Sequence, residues 1–183
     1  ADKDRITLSG KINCPKLWNG VNSPALYRAE ITLFCNGEPF DSIEQEFGIR
    51  SYRIDADNGF FLNGKPYPLH GVNYHQDSYE SGWAMTGAQR ERDYRIIRDM
   101  GCTAVRMAHY QHCDHEYSLC DRLGLCVWTE IGIINKMSAD DSDAHVLSDG
   151  FGDNAKQQLR ELIRQNYNHP SVIVWGLFNE LYQ

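Results

Sequence analysis

The 183-residue sequence lacks the features that mark several broad classes of protein. No run of about 18 apolar residues is present, so we expect no membrane-spanning helix. The six cysteines form no C-x-x-C pair, which argues against zinc-ribbon and thioredoxin-like motifs. There is no basic run and the net charge is −7, so nucleic acid is not an expected partner. The chain opens with polar and charged residues instead of a signal-peptide pattern, and the sequence does not indicate a compartment.

Acidic residues are concentrated in the C-terminal part of the chain. Residues 1–53 carry seven basic and seven acidic groups, whereas residues 54–183 carry 11 and 18 and so hold the whole net charge. This split is consistent with two modules, which we place at 1–53 and 54–183. The first has alternating apolar residues and a hairpin turn signal, and it fits one part of an antiparallel β-sandwich. Its predicted segments are strands at Ile6–Ser9, Leu26–Cys35 and Ser42–Arg50, with the turn at Asn36-Gly37.

From residue 54 onward, a short hairpin around Phe60–Leu62 is followed by alternating strand and helix patterns. This alternation predicts an α/β fold with a parallel sheet. The predicted strands are Leu69–Asn73, Thr103–Met107, Leu125–Thr129 and Val172–Trp175, and the predicted helices are Ala88–Met100, Asp114–Leu123 and Phe151–Asn166. A closed eight-stranded barrel needs about 250 residues, so four such units would form about half of one. The length of the polar segment 135–150 predicts a functional or mobile loop.

Each predicted parallel strand is followed by polar side chains, namely His75, His109, Glu130 and the pair Asn179-Glu180. The C-terminal ends of the strands in such folds converge on one rim, where catalytic groups are found. We therefore expect these side chains to form one site. Taken singly, each histidine could equally be structural or solvated, and Glu180 could simply begin the next loop or cap the next helix.

Glu180 and Asn179 suit acid–base chemistry on a sugar. The apolar strand before Glu180 would leave its carboxyl group partly desolvated, which favours the protonated form and suits proton donation near neutral pH. Asn179 could hydrogen-bond a substrate hydroxyl. Retaining glycoside hydrolysis needs a second carboxylate about 5–5.5 Å away, and Glu130 is one candidate. Trp128 and Trp175 lie inside predicted strands, so we expect them to fill the core instead of stacking on sugar rings.

A cluster of histidines supports a competing interpretation based on a metal. His109, His112, Asp114 and His115 lie within seven residues of each other, and such groups can bind zinc. A metal-dependent hydrolase that uses His75, His109 and His112 is therefore an alternative function. The simpler interpretation places His112 and His115 at the surface, with Asp114 as the N-cap of the following helix.

Several stretches resemble glycoside hydrolase family 2, the family of β-galactosidases, β-glucuronidases and β-mannosidases. The family's Arg-x-x-His-Tyr signature, with a downstream Asp and a Gly-apolar strand, is similar to Thr103–Arg106, Ala108-His109-Tyr110, Asp121 and Gly124–Trp128. The acid/base signature is similar to Asn168–Ser171, Trp175-Gly176 and Asn179-Glu180. Gly71–His75 resembles the first barrel strand. The end of the family's immunoglobulin-like domain is similar to Trp18-Asn19-Gly20 with Pro24, Leu26 and Tyr27, and to Phe47–Arg50.

The resemblance implies the first half of a (β/α)8 TIM barrel, preceded by the C-terminal strands of an immunoglobulin-like β-sandwich. It implies a retaining exo-β-glycosidase, foremost a β-galactosidase, that acts on a β-linked oligosaccharide or glycoside. Glu180 would be the general acid/base, and Asn179 would hold the sugar hydroxyl next to the anomeric carbon. His75 and His109 would contact the sugar in the −1 site, and Arg106 would orient the nucleophile electrostatically. The full-length enzyme could be a homo-oligomer.

The sequence also departs from the family pattern. Gln111 replaces the usual proline after His-Tyr, which alters the expected loop shape. Ile134 and Lys136 stand where metal-dependent β-galactosidases of the family carry magnesium ligands, so no metal or cofactor is expected. The family's nucleophile is a glutamate after the seventh strand, whereas this chain ends after the fourth, so we expect the fragment alone to be inactive. A non-catalytic carbohydrate-binding or structural module is the remaining alternative.

Overall fold

The computed structural model describes residues 6–134 and 150–180. An antiparallel β region comes first, and a region of alternating strands and helices follows it. In chain order the elements are β1 (Tyr27–Cys35), β2 (Glu38–Phe47), β3 (Tyr52–Asp55), β4 (Gly59–Leu62), β5 (Lys65–Pro66), β6 (Gly71–Tyr74), α1 (Gly87–Asp99), β7 (Ala104–Met107), α2 (Asp114–Leu123), β8 (Cys126–Glu130), α3 (Phe151–Asn166) and β9 (Val172–Gly176). Within the described residues, no helix is long and apolar enough to cross a membrane.

The N-terminal hairpin is organised by the turn at Asn36-Gly37. Both residues have positive φ, 53° and 87°, which suits the two-residue turns that match the twist of paired strands. β1 and β2 therefore pair antiparallel on either side of this turn. β2 begins directly after the turn, so the observed strand starts and ends closer to the N-terminus than the strand predicted at Ser42–Arg50. The strand predicted at Ile6–Ser9 is wrong, because these exposed residues pair with no strand in the described ranges.

The strands β6, β7, β8 and β9 form a parallel sheet in that order, with α1, α2 and α3 in the three connections. This is the topology of successive units of a (β/α)8 barrel, and it confirms the predicted fold class. α2 and α3 have the predicted bounds. α1 begins with a capping box in which Thr86 and Gln89 satisfy each other's backbone N–H groups. The main core lies between the sheet and the helices and includes Tyr94, Val105 and Tyr117.

A second apolar cluster lies at the N-terminal ends of the parallel strands. It contains Trp18, Phe60, Leu62, Tyr67, Cys126 and Ile173. The Trp18 indole nitrogen donates to the carbonyl of Asp121 at 2.9 Å. Arg50 donates to the carbonyls of Pro170 at 2.7 Å and Val172 at 2.5 Å, at the start of β9. These contacts cover the N-terminal edge of the sheet and leave the C-terminal edge for the site.

Two expectations about burial have different outcomes. Trp175 is partly buried against the main core, as predicted. Trp128 is 43% exposed, so the expectation that it fills the core is wrong. Its side chain lines a cleft of about 340 Å³ beside Arg106 and Val174 on the face of the sheet.

The proposed boundary between residues 53 and 54 stays a prediction, and β3 runs across it. Almost all of the predicted loop 135–150 lies outside the described residues.

Candidate active site

The C-terminal ends of β7 and β8 are joined by charged hydrogen bonds. Arg106 Nε donates to Glu130 Oε1 at 2.7 Å, and His109 Nδ1 lies 3.0 Å from Glu130 Oε2. Glu130 is only 1% exposed, and a buried carboxylate is stable only with such donors. Its two oxygens therefore hold Arg106 and His109 in place. The sequence pattern placed Glu130 at the rim but gave no signal for this anchoring role.

β9 approaches β8 closely at Gly176. A Cβ atom at this position would lie 2.6 Å from Trp128 Nε1 and 2.7 Å from Glu130 Cγ, so only glycine fits without displacing its neighbours. Gly176 is the register partner of Glu130 in the parallel ladder. The chain after Gly176 is consequently carried onto the same rim, where the Asn179 backbone N–H donates to the carbonyl of Ile133 at 2.8 Å.

The Asn179 side chain is oriented by Arg106. Arg106 Nη2 donates to Asn179 Oδ1 at 2.8 Å, while Nε of the same guanidinium holds Glu130. Because Oδ1 faces Arg106, the Nδ2 group is left to donate elsewhere, and it has no acceptor among the described residues. The structure thus brings together three of the predicted site residues, Arg106, His109 and Asn179, and presents an amide donor at the rim.

A row of aromatic rings extends from His109 towards solvent. The His75 and His109 rings are T-shaped with centroids 5.2 Å apart. Burial, and then the charge of Asp77, raises the pKa of Tyr110 above its ordinary value. The Tyr110 hydroxyl therefore stays protonated and can donate to His75 Nδ1 at 3.2 Å. Trp83, 61% exposed, packs on Tyr110 with centroids 4.7 Å apart. Tyr110 was not predicted as a site residue, although it follows the end of β7.

Glu180 follows Asn179 directly on the rim. Among the residues that the structure describes, Glu180 is exposed to solvent. The expected partial desolvation of its carboxyl group is therefore wrong. Its φ is 51°, in the left-handed region that residues other than glycine seldom adopt. Such conformations are concentrated at functional sites, where surrounding structure enforces them. The backbone conformation, and not burial, is therefore the unusual property of Glu180.

The histidine cluster does not form a metal site in the part of the chain that the structure describes. No group of three or more His, Cys, Asp or Glu side chains is arranged there to hold an ion. His112 is 3% exposed, so its expected surface position is wrong. Its ring nitrogens face Glu116 Oε2 at 2.6 Å and the Ala108 carbonyl at 3.1 Å, which leaves neither for a metal. Asp114 begins α2, and the N-cap is Cys113.

Comparison with known proteins identifies the family. A family model described as the TIM barrel domain of glycosyl hydrolases family 2 matches residues 54–183. A second model of the same family matches residues 1–50. The chain belongs to glycosyl hydrolases family 2. This membership confirms the resemblance that the two sequence signatures indicated. The rim cluster therefore lies in a barrel domain of a glycoside hydrolase family.

Similar proteins of this family carry two kinds of name. A β-glucuronidase from Bacteroides fragilis is 46% identical over 170 residues, which span 93% of this chain and 24% of that protein. A β-galactosidase from Bacteroides ovatus is 32% identical, spanning 91% and 19%. A solved β-glucuronidase from Bacteroides uniformis, covalently bound to cyclophellitol-6-carboxylate aziridine, superimposes with a TM-score of 0.79 at 41% identity, spanning 91% of this chain and 19% of that one. The chain thus spans about a fifth to a quarter of the length of these relatives.

Proposed function

We propose that the protein carrying this chain is a retaining exo-β-glycosidase in which Glu180 is the general acid/base. The observation that carries the proposal is the hydrogen-bonded cluster of Arg106, His109, Glu130 and Asn179, which lies at the C-terminal rim directly beside Glu180. In barrels of this kind, the C-terminal rim is where catalysis takes place. The fixed orientation of Asn179 supports a binding role, because its amide donor adjoins the proposed acid and has no acceptor among the described residues.

The proposed reaction has two steps. Glu180 first donates its proton to the glycosidic oxygen while a carboxylate nucleophile attacks the anomeric carbon, so the leaving group departs as a neutral alcohol. Glu180 then removes a proton from water as that water displaces the enzyme carboxylate. The nucleophile would be supplied by a later strand of the family's barrel, since no residue of this chain matches its position. An exposed rim position suits Glu180, because both the leaving group and the water must reach it.

The neighbouring side chains have proposed roles in holding the sugar. Asn179 Nδ2 would donate to the hydroxyl next to the anomeric carbon, while Oδ1 stays on Arg106. His75 and His109 would contact the sugar in the −1 site, since their rings pack together on the rim. The Arg106 guanidinium would orient the incoming nucleophile by its positive charge. Each role uses an atom that the rim leaves accessible or a charge that Glu130 holds in position.

We propose a β-glucuronide as the substrate, with a β-galactoside as the second candidate. The sequence-based expectation of a β-galactosidase is not confirmed. The 46% identical curated relative is named a β-glucuronidase, whereas five curated relatives named β-galactosidase range from 30% to 34% identity. A solved structure that is 45% identical is titled a putative β-galactosidase, which keeps the galactoside as the second candidate. Hydrolysis of 4-nitrophenyl β-glucuronide and β-galactoside by the full-length protein decides between them. A higher kcat/KM on the galactoside would reverse this assignment and leave the role of Glu180 intact.

Glu180→Gln in the full-length protein tests the acid/base role. General acid catalysis contributes about 10²–10⁴-fold, so we expect kcat/KM to fall by that factor on a methyl glycoside, whose leaving group needs protonation. The loss should be smaller on a dinitrophenyl glycoside, which departs without a proton. Added azide should restore turnover and yield the β-glycosyl azide, because azide needs no general base. Glu161→Gln, at an exposed glutamate of α3, is the control and should retain activity. Equal losses on both substrates, or activity near that of the parent on the methyl glycoside, would contradict the assignment.

A further inference from the structure

A buried polar cluster of His112, Glu116 and Arg90 lies beneath the rim. Glu116 in α2 is fully buried, and its carboxylate accepts from Arg90 Nε at 2.9 Å and faces His112 Nδ1 at 2.6 Å. The Tyr94 hydroxyl donates to it at 3.3 Å. None of these side chains is among those assigned to the sugar or to proton transfer. The cluster is therefore a set of buried charges whose purpose the proposed function leaves open.

On one side, the cluster holds the loop after β7, residues 108–113. The Ala108 carbonyl accepts from His112 Nε2 at 3.1 Å, and Ala108 directly precedes His109. The other ring nitrogen, Nδ1, lies 2.6 Å from Glu116 Oε2, so the ring links the Ala108 carbonyl to the carboxylate. The His112 ring also stacks on Tyr110, with centroids 5.2 Å apart. His112 thus fixes the backbone of Ala108, which precedes His109, and the ring of Tyr110, which follows it.

On the other side, the cluster holds the loop after β6, residues 75–86. Arg90 in α1 donates from Nη1 to the carbonyl of Met85 and from Nη2 to that of Trp83 at 3.5 Å. A further bond joins the two loops directly, since the Cys113 N–H donates to Gln76 Oε1 at 3.0 Å. The single carboxylate of Glu116 therefore connects both loops, one through His112 and one through Arg90.

We propose that His112 and Glu116 are positioning residues that hold these two loops, and with them His75, His109 and Tyr110, in the geometry needed for catalysis. The proposal rests on the glycosidase function proposed above. Buried ion pairs are weak contributors to stability, because desolvation offsets their attraction and apolar replacements of similar volume often do as well. Directional bonds to three particular backbone carbonyls, those of Ala108, Met85 and Trp83, are what apolar packing cannot supply. Holding the geometry of the rim is thus a better account of the cluster than stability.

The same helix provides a matched control at the opposite edge of the sheet. Asp121 in α2 accepts from His169 Nδ1 at 2.6 Å, the same separation as in the His112–Glu116 pair, and both side chains are buried. His169 lies three residues before β9, and its Nε2 is 3.5 Å from the exposed carboxylate of Asp114, the first residue of α2. Loss of either histidine removes a buried His–carboxylate bond, but of the two side chains it is His112 that bonds to the backbone of a rim loop, whereas the described partners of the His169 ring nitrogens are carboxylates of α2.

The experiment compares His112→Phe, His112→Gln and His169→Asn in the full-length protein, assayed well below each thermal transition. His112→Phe keeps a planar ring against Tyr110 and removes both bonds. Misplacement of about 1 Å can cost 10²-fold in rate, so we expect kcat to fall about 10- to 100-fold while KM changes by less than about threefold. His112→Gln can still donate to the Ala108 carbonyl and should recover at least part of kcat. His169→Asn should lower the thermal midpoint and leave kcat near that of the parent.

In the activity assay, either of two results would overturn the proposal: a His112→Phe kcat within about threefold of the parent, or an equal kcat loss in His169→Asn. Absence of glycosidase activity in the parent would refute the proposed function alone. Amide hydrogen exchange then decides the positioning role without any substrate. His112→Phe should speed exchange at residues 108–113 and 83–86, whereas His169→Asn should speed it around 168–172. Unchanged exchange in both rim loops of His112→Phe would refute the positioning role.

Discussion

Replacement of Arg106 by methionine should weaken the sheet at its C-terminal edge. Arg106 donates to Glu130 at 2.7 Å and to Asn179 at 2.8 Å, and methionine keeps a stem of similar length without any donor. Removing one partner of a buried ion pair costs about 3–5 kcal/mol. Glu130 keeps His109 as a second donor, and the Arg106 side chain is 27% exposed, so solvent screens part of the loss. We therefore expect the local free energy of unfolding to fall by about 2–3 kcal/mol.

Amide hydrogen exchange at β8 measures this loss locally, which suits a protein of several units better than a single melting temperature. The Ile131 N–H, directly after Glu130 and bonded to the Gly176 carbonyl at 3.3 Å, is a suitable probe. Each 1.4 kcal/mol is a factor of ten, so the exchange rate there should rise about 30- to 150-fold when exchange follows the opening equilibrium. Arg106→Lys keeps the charge but cannot span both acceptors, and it should give an intermediate increase.

The control is an exposed ion pair. Arg28 and Glu44 lie 3.3 Å apart across β1 and β2, with side chains 62% and 56% exposed. Such pairs contribute about 0–1 kcal/mol, so Arg28→Met should raise exchange in β1 by less than about fivefold. The reasoning is refuted if Arg106→Met increases exchange in β8 no more than Arg28→Met does in β1. That result would mean that His109 alone satisfies the buried Glu130 carboxylate.

Two further predictions concern stability away from the rim. Burial favours the neutral His169 ring, but the hydrogen bonds and charges of Asp121 and then Asp114 outweigh it and raise the pKa of His169. The stabilisation by His169 is therefore complete below about pH 6.5, the ordinary histidine pKa, and is lost as the pH rises through the raised pKa. His169→Asn should consequently flatten the decline of the thermal midpoint above about pH 6.5. Gly124→Ala and Gly101→Ala both place a side chain at positive φ, 77° and 87°, at a cost of about 1–2 kcal/mol. Only the Cβ at 124 would meet backbone, 2.3 Å from the Gly20 carbonyl oxygen, so Gly124→Ala should lower the midpoint clearly more, and equal shifts would count against a clash.

The sequence predicted the helices best where local signals define both ends. The helix over Asp114–Leu123 has the predicted bounds because Gly124 adopts the left-handed conformation that ends a helix. The strand at Ile6–Ser9 failed because a strand needs a partner, and no local pattern contains one. The bounds of β2 depended in the same way on the turn, since pairing starts immediately after Gly37. The pattern within one segment was therefore enough to predict a helix, whereas the existence and bounds of a strand depended on its partner strand.

The position of the candidate site could be predicted from the sequence, but the hydrogen bonds between its side chains could not. Strand ends indicated His109 and Asn179, and the family resemblance indicated Arg106. The structure brings the three together, since Glu130 binds Arg106 and His109 and Arg106 also binds Asn179. The anchoring role of Glu130 depends on distances between two strands, which no spacing along the chain reports. Trp128 was misjudged for a related reason, since an apolar strand position does not say which face of the sheet is covered. Side-chain partners across elements were thus the information that the sequence lacked.

The two buried His–carboxylate pairs of α2 show why similar signals lead to different roles. Glu116 and Asp121 are five residues apart in one helix, and each is joined to a histidine at 2.6 Å. Their separation along the helix axis is about 7.5 Å at a rise of 1.5 Å per residue, enough to direct one pair to each edge of the sheet. His112 meets the backbone that carries His109, whereas His169 meets the start of β9. The helix axis, which runs against the strands, thus assigns the first pair to the reaction and the second to the fold.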